Sequence, residues 1–250
     1  GVIGIIVPWN YPLFLAIGPL VTALSAGNRA MIKMSEFTPN FNKVLINVLT
    51  EVFPPQKIAI IEGEADIAAL FSELPFDHIL FTGSTAVGKH VMRAASQNLT
   101  PVTLELGGKS PVIIAPEADM KAAAERICFG KSMNSGQTCI APDYVLTPVG
   151  REEEFIAAYK TIFTKMYPNL KDNDDYTAII NSRQHQRLQS LLGDAEKNGA
   201  TLTTLNPAQE DFTDTRKMPF TLIQHASDDS AIMQEELFGP LLPLVSYQGL

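Results

Sequence analysis

The sequence predicts an α/β protein whose first part contains a mostly parallel sheet covered by helices on both faces. Short apolar runs alternate with helix-length segments through roughly the first hundred residues, and this order is typical of parallel strands joined by crossover helices. The chain has 250 residues, of which 46% are hydrophobic and 18% charged. That length is sufficient for one large domain or two ordinary ones.

The first element is the apolar run at residues 2–7, which predicts a buried strand. Residues 13–26 are apolar nearly all round and stop before Gly27, a residue that favours helix C-termini, so they predict a buried helix. The same alternation continues to residue 95. It predicts strands at residues 30–34, 58–61 and 78–81, and helices around residues 41–49, 65–71 and 86–95.

The pattern changes after Gly107 and Gly108, and we place a domain boundary there, between residues 1–108 and residues 109–250. The second part alternates less regularly. It predicts a strand at 111–115, a helix at 120–129, a polar glycine-bearing loop at 133–138, helices around 155–163 and 188–195, and a polar surface connection at 206–218.

The composition excludes several classes of protein. Nineteen basic and 27 acidic residues give a net charge of −8, which argues against a nucleic-acid-binding surface. Two cysteines cannot form a disulfide framework or a tetrahedral zinc site by themselves and indicate reduced thiols in a cytoplasmic protein. The uncharged stretch at residues 1–28 is broken by prolines and has no basic leader, so we expect it to be buried in the fold, not in a membrane.

Both ends of the sequence indicate a piece of a longer chain. Gly1 opens directly on an apolar run, and another apolar run at residues 241–245 lies just before the last residue. We therefore expect the first domain to lack its amino-terminal part and the second to lack its carboxyl-terminal part.

Residues 83–90, with the sequence GSTAVGKH, form a candidate phosphate-binding turn. They follow a predicted strand and open a helix, where backbone N–H groups and the helix dipole favour an anion. The segment nearly matches the P-loop, but His90 stands where the hydroxyl that holds Mg²⁺ is required. A P-loop NTPase and a plain strand-to-helix turn are both open at this point.

Cys139 is the better candidate nucleophile of the two cysteines. It follows a polar loop, where a thiol can be exposed and ionised. Cys128 lies mid-helix between apolar residues and suits a buried core thiol. None of the four histidines lies near Cys139 in the sequence, so a Cys–His pair would depend on the fold.

Glu105 and Asn10 are candidate partners for such a nucleophile. Glu105 lies between two leucines, so we expect partial desolvation that suits a general base. The alternative is a strand-end carboxylate that faces solvent or pairs with Lys109. Asn10 is an amide within an uncharged run and either donates to an oxyanion or forms a turn with Pro12.

Three further acidic or basic residues stand at the ends of predicted elements. Lys33 and Glu36 follow a strand, and the carboxyl edge of an open α/β sheet faces a ligand crevice. Glu236 precedes a predicted turn at Gly239. The alternative for Lys33 and Glu36 is ordinary surface charge, and the alternative for Glu236 is a helix end with solvated carboxylates.

Taken together and in this order, the motifs resemble those of the aldehyde dehydrogenase superfamily. The matching segments are PWNYP at 8–12, KMSE at 33–36, FTGS at 81–84, ELGGKSP at 105–111, GQTC at 136–139 and ELFGP at 236–240. Residues 76–81 and 98–103 resemble the branch that contains coniferyl-aldehyde and fatty-aldehyde dehydrogenases. Met34 departs from the family, which often has proline there.

The resemblance implies a role for each motif. Cys139 would be the nucleophile, Glu105 would activate water, and the Asn10 amide would join the Cys139 backbone N–H in an oxyanion hole. Tyr11 would line the substrate tunnel. The residues that would bind the cofactor NAD are Pro8, Trp9, Lys33, Glu36, Gly83, Ser84, Gly88, Leu106, Glu236 and Phe238.

The resemblance also implies a Rossmann-like cofactor domain at residues 1–108, a catalytic domain at 109–250, and an NAD-dependent oxidation of an aldehyde to its acid without a metal. NADP would serve less well. The expected partners are a small aldehyde and further copies of the same chain in a homodimer or homotetramer. The alternatives are a nucleotide-hydrolysing P-loop protein and a catalytically silent binding protein on the same fold.

Overall fold

A parallel sheet forms the centre of the first of two units, Gly1–Gly107 and Gly108–Leu250, into which the chain folds. The computed structural model describes residues 1–249. The first unit contains, in chain order, β1 (Val2–Ile6), α1 (Pro12–Ser25), β2 (Arg29–Lys33), α2 (Pro39–Val52), β3 (Ile58–Ile61), α3 (Ala65–Ser72), β4 (His78–Gly83), α4 (Thr85–Ala95) and β5 (Val102–Leu106). Its strands lie in the order β3-β2-β1-β4-β5, and all neighbours are parallel.

Alternating side chains of the central strand bury both faces of this sheet. Ile5 packs with Ala16 and Leu20 of α1 and with residues of α2. Ile6, the next residue, packs instead with Phe71 of α3 and Val91 of α4. Because successive strand residues point to opposite faces, the sheet carries two helices on each side, as the apolar runs in the sequence predict.

A second sheet, with a different strand order, organises the second unit. Its elements are β6 (Pro111–Ile113), α5 (Met120–Ser132), β7 (Tyr144–Pro148), α6 (Glu152–Met166), α7 (Ser182–Lys197), β8 (Thr201–Leu205), β9 (Phe220–Gln224), α8 (Ala231–Gln234) and β10 (Leu241–Tyr247). The strand order is β6-β7-β10-β9-β8. Only the edge pair β8–β9 is antiparallel within the described residues; the other neighbours are parallel.

Both faces of the second sheet are also covered. Aromatic side chains of α6 form the centre of one core, in which the rings of Tyr159 and Phe220 stack with their centroids 5.1 Å apart. On the other face, Leu188 and Leu191 of α7 pack against Ile223 of β9. The polar connection expected at residues 206–218 joins β8 to β9.

The α/β class and the parallel sheet expected from the sequence are confirmed. Most helices and strands predicted from the sequence start and end within about three residues of those observed, but α7 begins at Ser182, six residues before the start of its predicted apolar pattern. The sequence pattern did not assign the strands β5, β7, β8, β9 and β10. None of the helices between residues 1 and 249 has the length and apolar character that a membrane span requires.

Candidate active site

The carboxyl ends of the strands in the first unit bring most of the predicted cofactor residues to one edge of the sheet. The chain leaves β1 toward β2 and later returns to the other side of β1 as β4, so the β1/β4 boundary is a switch point, where open α/β sheets bind ligands. Both α1 and α4 begin there. The residues collected at this edge are Pro8, Trp9, Asn10, Tyr11, Lys33, Glu36, Gly83, Ser84, Glu105 and Leu106.

The loop at residues 8–11 joins the central strand to α1. Its four residues are half-buried, and Tyr11 precedes the helix, which has Pro12 in its first turn. Proline suits that position because its fixed φ matches the helix and its missing N–H would have no intrahelical partner. Asn10 is thus held between a strand end and a helix start.

Lys33 is a buried residue, so surface charge is the wrong interpretation for it. It is 2% exposed, and its Nζ donates to the carbonyl oxygens of Met34 and Gly63, each at 2.7 Å. Burial lowers the pKa of Lys33, while the carboxylates of Glu36 and two neighbouring acidic residues oppose that shift. Glu36 itself is exposed. The pair therefore places one carboxylate at the surface beside a lysine that is bound to backbone.

The turn after β4 does not form a P-loop. Helix α4 already begins at Thr85 and includes Gly88, whereas a P-loop keeps that stretch as a loop around the phosphate. Gly88 has a packing role, because a Cβ there would lie 2.8 Å from Leu106 Cδ2. The start of the helix is exposed, has no acidic residue in its first turn and is capped by Ser84, whose Oγ accepts from Val87 N at 3.4 Å.

Glu105 is exposed, so the partial desolvation expected from its two leucine neighbours is wrong. Strand alternation is the physical reason. Leu104 and Leu106 pack into the core on one face of β5, and Glu105 and Thr103 point the other way. The Lys109 ammonium is bound to Asp143.

Cys139 lies at the end of a tight loop with unusual backbone geometry. Asn134, Ser135 and Gly136 have consecutive φ values of 52°, 51° and 73°, all in the left-handed region. Such strain persists only where the surroundings hold it. Ser135 Oγ donates to the carbonyl of Thr177 at 2.5 Å, and the thiol that follows is exposed.

Gln137 fixes the same loop from within. It is 1% exposed, and its Nε2 donates to the carbonyls of Asn134 and Ala178 at 3.1 and 3.2 Å. Its Oε1 accepts from Ile180 N at 3.0 Å. The glutamine of the GQTC motif therefore stabilises, through side-chain hydrogen bonds, the loop that presents the cysteine.

The cysteine loop makes a close backbone contact with the segment that contains Glu236 and Phe238. A Cβ on Gly136 would lie 2.3 Å from the carbonyl oxygen of Gly239, so only glycine fits there. Phe238 also has a positive φ of 51°. Within the second unit, the predicted nucleophile and the predicted nicotinamide-side residues are thus brought to neighbouring loops.

Glu236 is half-buried, and its Oε1 accepts from Gly108 N at 3.3 Å. Burial raises its pKa, and the Gly108 hydrogen bond opposes that shift. Arg187 of α7 donates to the carbonyls of Glu236 and Leu237. The backbone at Glu236 and at the residue after it is therefore held by a guanidinium.

Sequence reasoning missed a charged cluster beside this segment. Asp143 is 3% exposed and Lys131 is 1% exposed, and Lys109 Nζ lies 2.5 Å from Asp143 Oδ2. Burial lowers the pKa of Lys131 to about 8, and Asp143 and Glu236 oppose the shift. A weak signal existed, because Asp143 directly precedes an apolar strand and Lys131 closely follows the apolar residues 127–129 in the last turn of α5. Between residues 1 and 249, no group of three or more His, Cys, Asp or Glu side chains could hold a metal ion.

Gly136→Ala should destabilise the protein strongly. The new Cβ would meet the Gly239 carbonyl, and φ would stay at +73°, so the expected loss in unfolding free energy is about 1–3 kcal/mol from strain alone, with the clash in addition. Gly130→Ala in α5 is the matched control, because its Cβ would lie 3.6 Å from Pro142 Cδ and should add up to about 1 kcal/mol of stability. Denaturant unfolding measures both; a Gly136→Ala protein as stable as wild type would contradict the backbone contact.

The two thiols should react at very different rates. Cys139 is exposed, whereas burial raises the pKa of Cys128 to about 11. Since the thiolate is the reactive form, Cys128 should gain reactivity only as pH rises toward that value. Labelling with a disulfide reagent at about pH 8 should show one fast thiol, which Cys139→Ser removes and Cys128→Ser leaves. Two equally fast thiols would contradict the burial of Cys128.

Comparison with known proteins agrees with these motifs over the whole chain. The aldehyde dehydrogenase family model matches residues 1–250. A Pseudomonas aeruginosa protein named "Probable coniferyl aldehyde dehydrogenase" is 58% identical over 250 residues, which is 100% of this chain and 52% of that protein. The coniferyl-type resemblance is therefore confirmed.

Solved structures show the same similarity in three dimensions. Staphylococcus aureus AldH, in a substrate-bound state, has a TM-score of 0.91 and 45% identity, covering 100% of this chain and 53% of its own. A Mycobacterium tuberculosis aldehyde dehydrogenase complexed with NAD⁺ has a TM-score of 0.90 and 31% identity, covering 100% and 52%. The chain spans about half the length of these proteins. Its motifs, its fold and its full-length match to the family model agree: the chain belongs to the aldehyde dehydrogenase family.

Proposed function

We propose that the protein to which this chain belongs oxidises an aldehyde to the carboxylic acid with NAD, and that Cys139 is the nucleophile. The observation that carries this proposal is the exposed Cys139 thiol on a strained loop fixed against the Glu236 segment. A thiol held in this way has a defined direction and free access, as a nucleophile requires.

The chemistry uses few groups of this chain. The Cys139 thiolate adds to the aldehyde carbonyl and forms a thiohemiacetal, whose oxyanion would accept hydrogen bonds from the Asn10 amide and the Cys139 N–H. Bound NAD supplies the hydride acceptor that converts the thiohemiacetal to a thioester. Glu105 would then take a proton from water, which attacks the thioester carbon and releases the acid and the thiolate.

The residues at the first sheet's carboxyl edge fit a dinucleotide. The exposed start of α4 has no acid in its first turn, so its N–H groups and dipole favour a pyrophosphate. Gly83 lets the backbone lie directly over Phe81, because a Cβ would meet that ring at 2.6 Å. Glu36 is exposed beside Lys33, in a position suited to adenosine ribose hydroxyls.

The substrate is proposed to be coniferyl aldehyde or another aromatic or aliphatic aldehyde, with Tyr11 along its path. The name of the Pseudomonas aeruginosa relative supports the aromatic class. A homodimer or homotetramer and a cytoplasmic location rest on the family resemblance alone.

Cys139→Ala should abolish aldehyde-dependent NADH formation, because the thioester cannot form without the thiol. Cys128→Ala is the matched control and should retain most activity, with a modest loss of stability from a small cavity.

In Glu105→Gln, hydride transfer should be slowed less than hydrolysis of the thioester, so a burst of NADH should precede a slow steady state. NADH formation by each variant is measured at 340 nm on the full-length protein. Equal losses in both cysteine variants, or wild-type turnover in Glu105→Gln, would refute these assignments.

Glu36 should set the preference for NAD over NADP. The 2′-phosphate of NADP would meet this carboxylate, but the exposure of Glu36 allows water and salt to screen the repulsion. We expect kcat/KM for NAD to exceed kcat/KM for NADP by roughly tenfold to a few hundredfold, or about 1.4–3.5 kcal/mol. Glu36→Gln should reduce this preference for NAD, mainly through a lower KM for NADP. An unchanged ratio would show that Glu36 does not face the ribose.

A further inference from the structure

We propose that Asp143 and Lys109 are positioning residues, which hold residues 232–237 in one arrangement and thereby set where the Glu236 carboxylate meets the cofactor. The inference rests on the proposed function, in which Glu236 contacts the nicotinamide end of NAD. Neither residue is given a contact with substrate or cofactor; both act through the backbone that carries Glu236.

Asp143 links the strand β7 region to this backbone. Its side chain is 4% exposed. Oδ1 accepts from Leu237 N at 2.9 Å, and Oδ2 accepts from Lys109 Nζ at 2.5 Å. The Asp143 N–H also donates to the carbonyl of Ser110 at 2.8 Å. One buried carboxylate therefore fixes the residue directly after Glu236.

Lys109 fixes the residues before Glu236. Besides Asp143, its Nζ donates to the carbonyls of Ile232 at 2.8 Å and Glu235 at 3.1 Å. An ammonium group has three N–H donors, and these contacts use all three. The segment is consequently held at Ile232, Glu235 and Leu237, with Glu236 between the last two.

The surrounding charges give this arrangement an electrostatic consequence. Lys131 is 1% exposed, and the carboxylates of Asp143 and Glu236 both act on its charge. If Asp143 is neutralised, Lys109 loses its carboxylate partner, and of the two carboxylates that act on Lys131 only Glu236 stays charged. We expect the Glu236 side chain to turn toward Lys131, away from the cofactor.

A purely structural ion pair would change only the stability of the protein, whereas a positioning pair would also change NAD binding through Glu236. An experiment can separate these two roles. A buried ion pair is by itself weak evidence for stability. If Asp143 acts through Glu236, the effects of changing both residues on NAD binding should not add, because coupled residues depart from additivity. A purely structural effect would be the same whether or not Glu236 keeps its carboxylate.

The experiment is a double-mutant cycle on the full-length protein, with Asp143→Asn, Glu236→Gln and the double variant. NAD dissociation constants are measured by calorimetry without aldehyde, together with the NADH burst and the unfolding temperature. The matched control is Asp214→Asn, which breaks the exposed Lys171–Asp214 pair of 2.6 Å and should change none of these readouts.

We expect Asp143→Asn to weaken NAD binding about tenfold, and by less than about twofold when Glu236→Gln is already present. Suppose that Glu236→Gln binds NAD weakly, as the proposed function requires. Unchanged NAD affinity in Asp143→Asn, or losses of NAD-binding free energy that add in the double variant, would then overturn the inference. Unchanged NAD binding in Glu236→Gln would overturn the proposed cofactor role of Glu236 and the inference with it. If Asp143→Asn does not fold, Lys109→Gln in the same cycle gives the deciding result.

Discussion

The close approach of Gly136 to the Gly239 carbonyl is the constraint on which the candidate site depends. A Cβ at Gly136 would stand 2.3 Å from that oxygen, so only glycine lets the loop that presents Cys139 pack this closely against the segment that carries Glu236. The three residues before Gln137 are left-handed, and the hydrogen bonds of Ser135 and Gln137 hold the loop that contains them. The loop that presents the thiol is thus held by backbone and side-chain hydrogen bonds within the second unit.

Buried charge plays a different part from that of the exposed groups proposed for the site. Cys139, Glu105 and Glu36 are exposed, which gives solvent and ligands access to them. The buried Lys33 is satisfied by backbone carbonyls, and the buried Asp143 by an ion pair and a backbone N–H. Buried polar groups are costly unless they are paired in this way, so they fix the backbone from which the exposed groups act.

The sequence predicted the features that depend on local pattern. Apolar runs indicated the strands β1 to β4. The polar loop and the GQTC motif indicated Cys139 as the candidate nucleophile. The edge strand β8 was missed because its threonines carry little apolar signal, and the exposure of Glu105 was missed because the register of β5 was not assigned. Only a weak signal for the Asp143 cluster was present in the sequence, since its contacts join residues 34 and 94 positions apart.

The central claim is that Cys139 forms the covalent intermediate, and peptide mass spectrometry of the acid-quenched enzyme tests it most directly. The full-length Glu105→Gln protein is mixed with an aromatic aldehyde and NAD, quenched within the first turnover and digested. The account predicts a mass increase equal to the acyl group on the peptide that contains Cys139, and unmodified Cys128. An acyl group on Cys128, or NADH formation in a stoichiometric burst without any acylated Cys139 peptide, would contradict it.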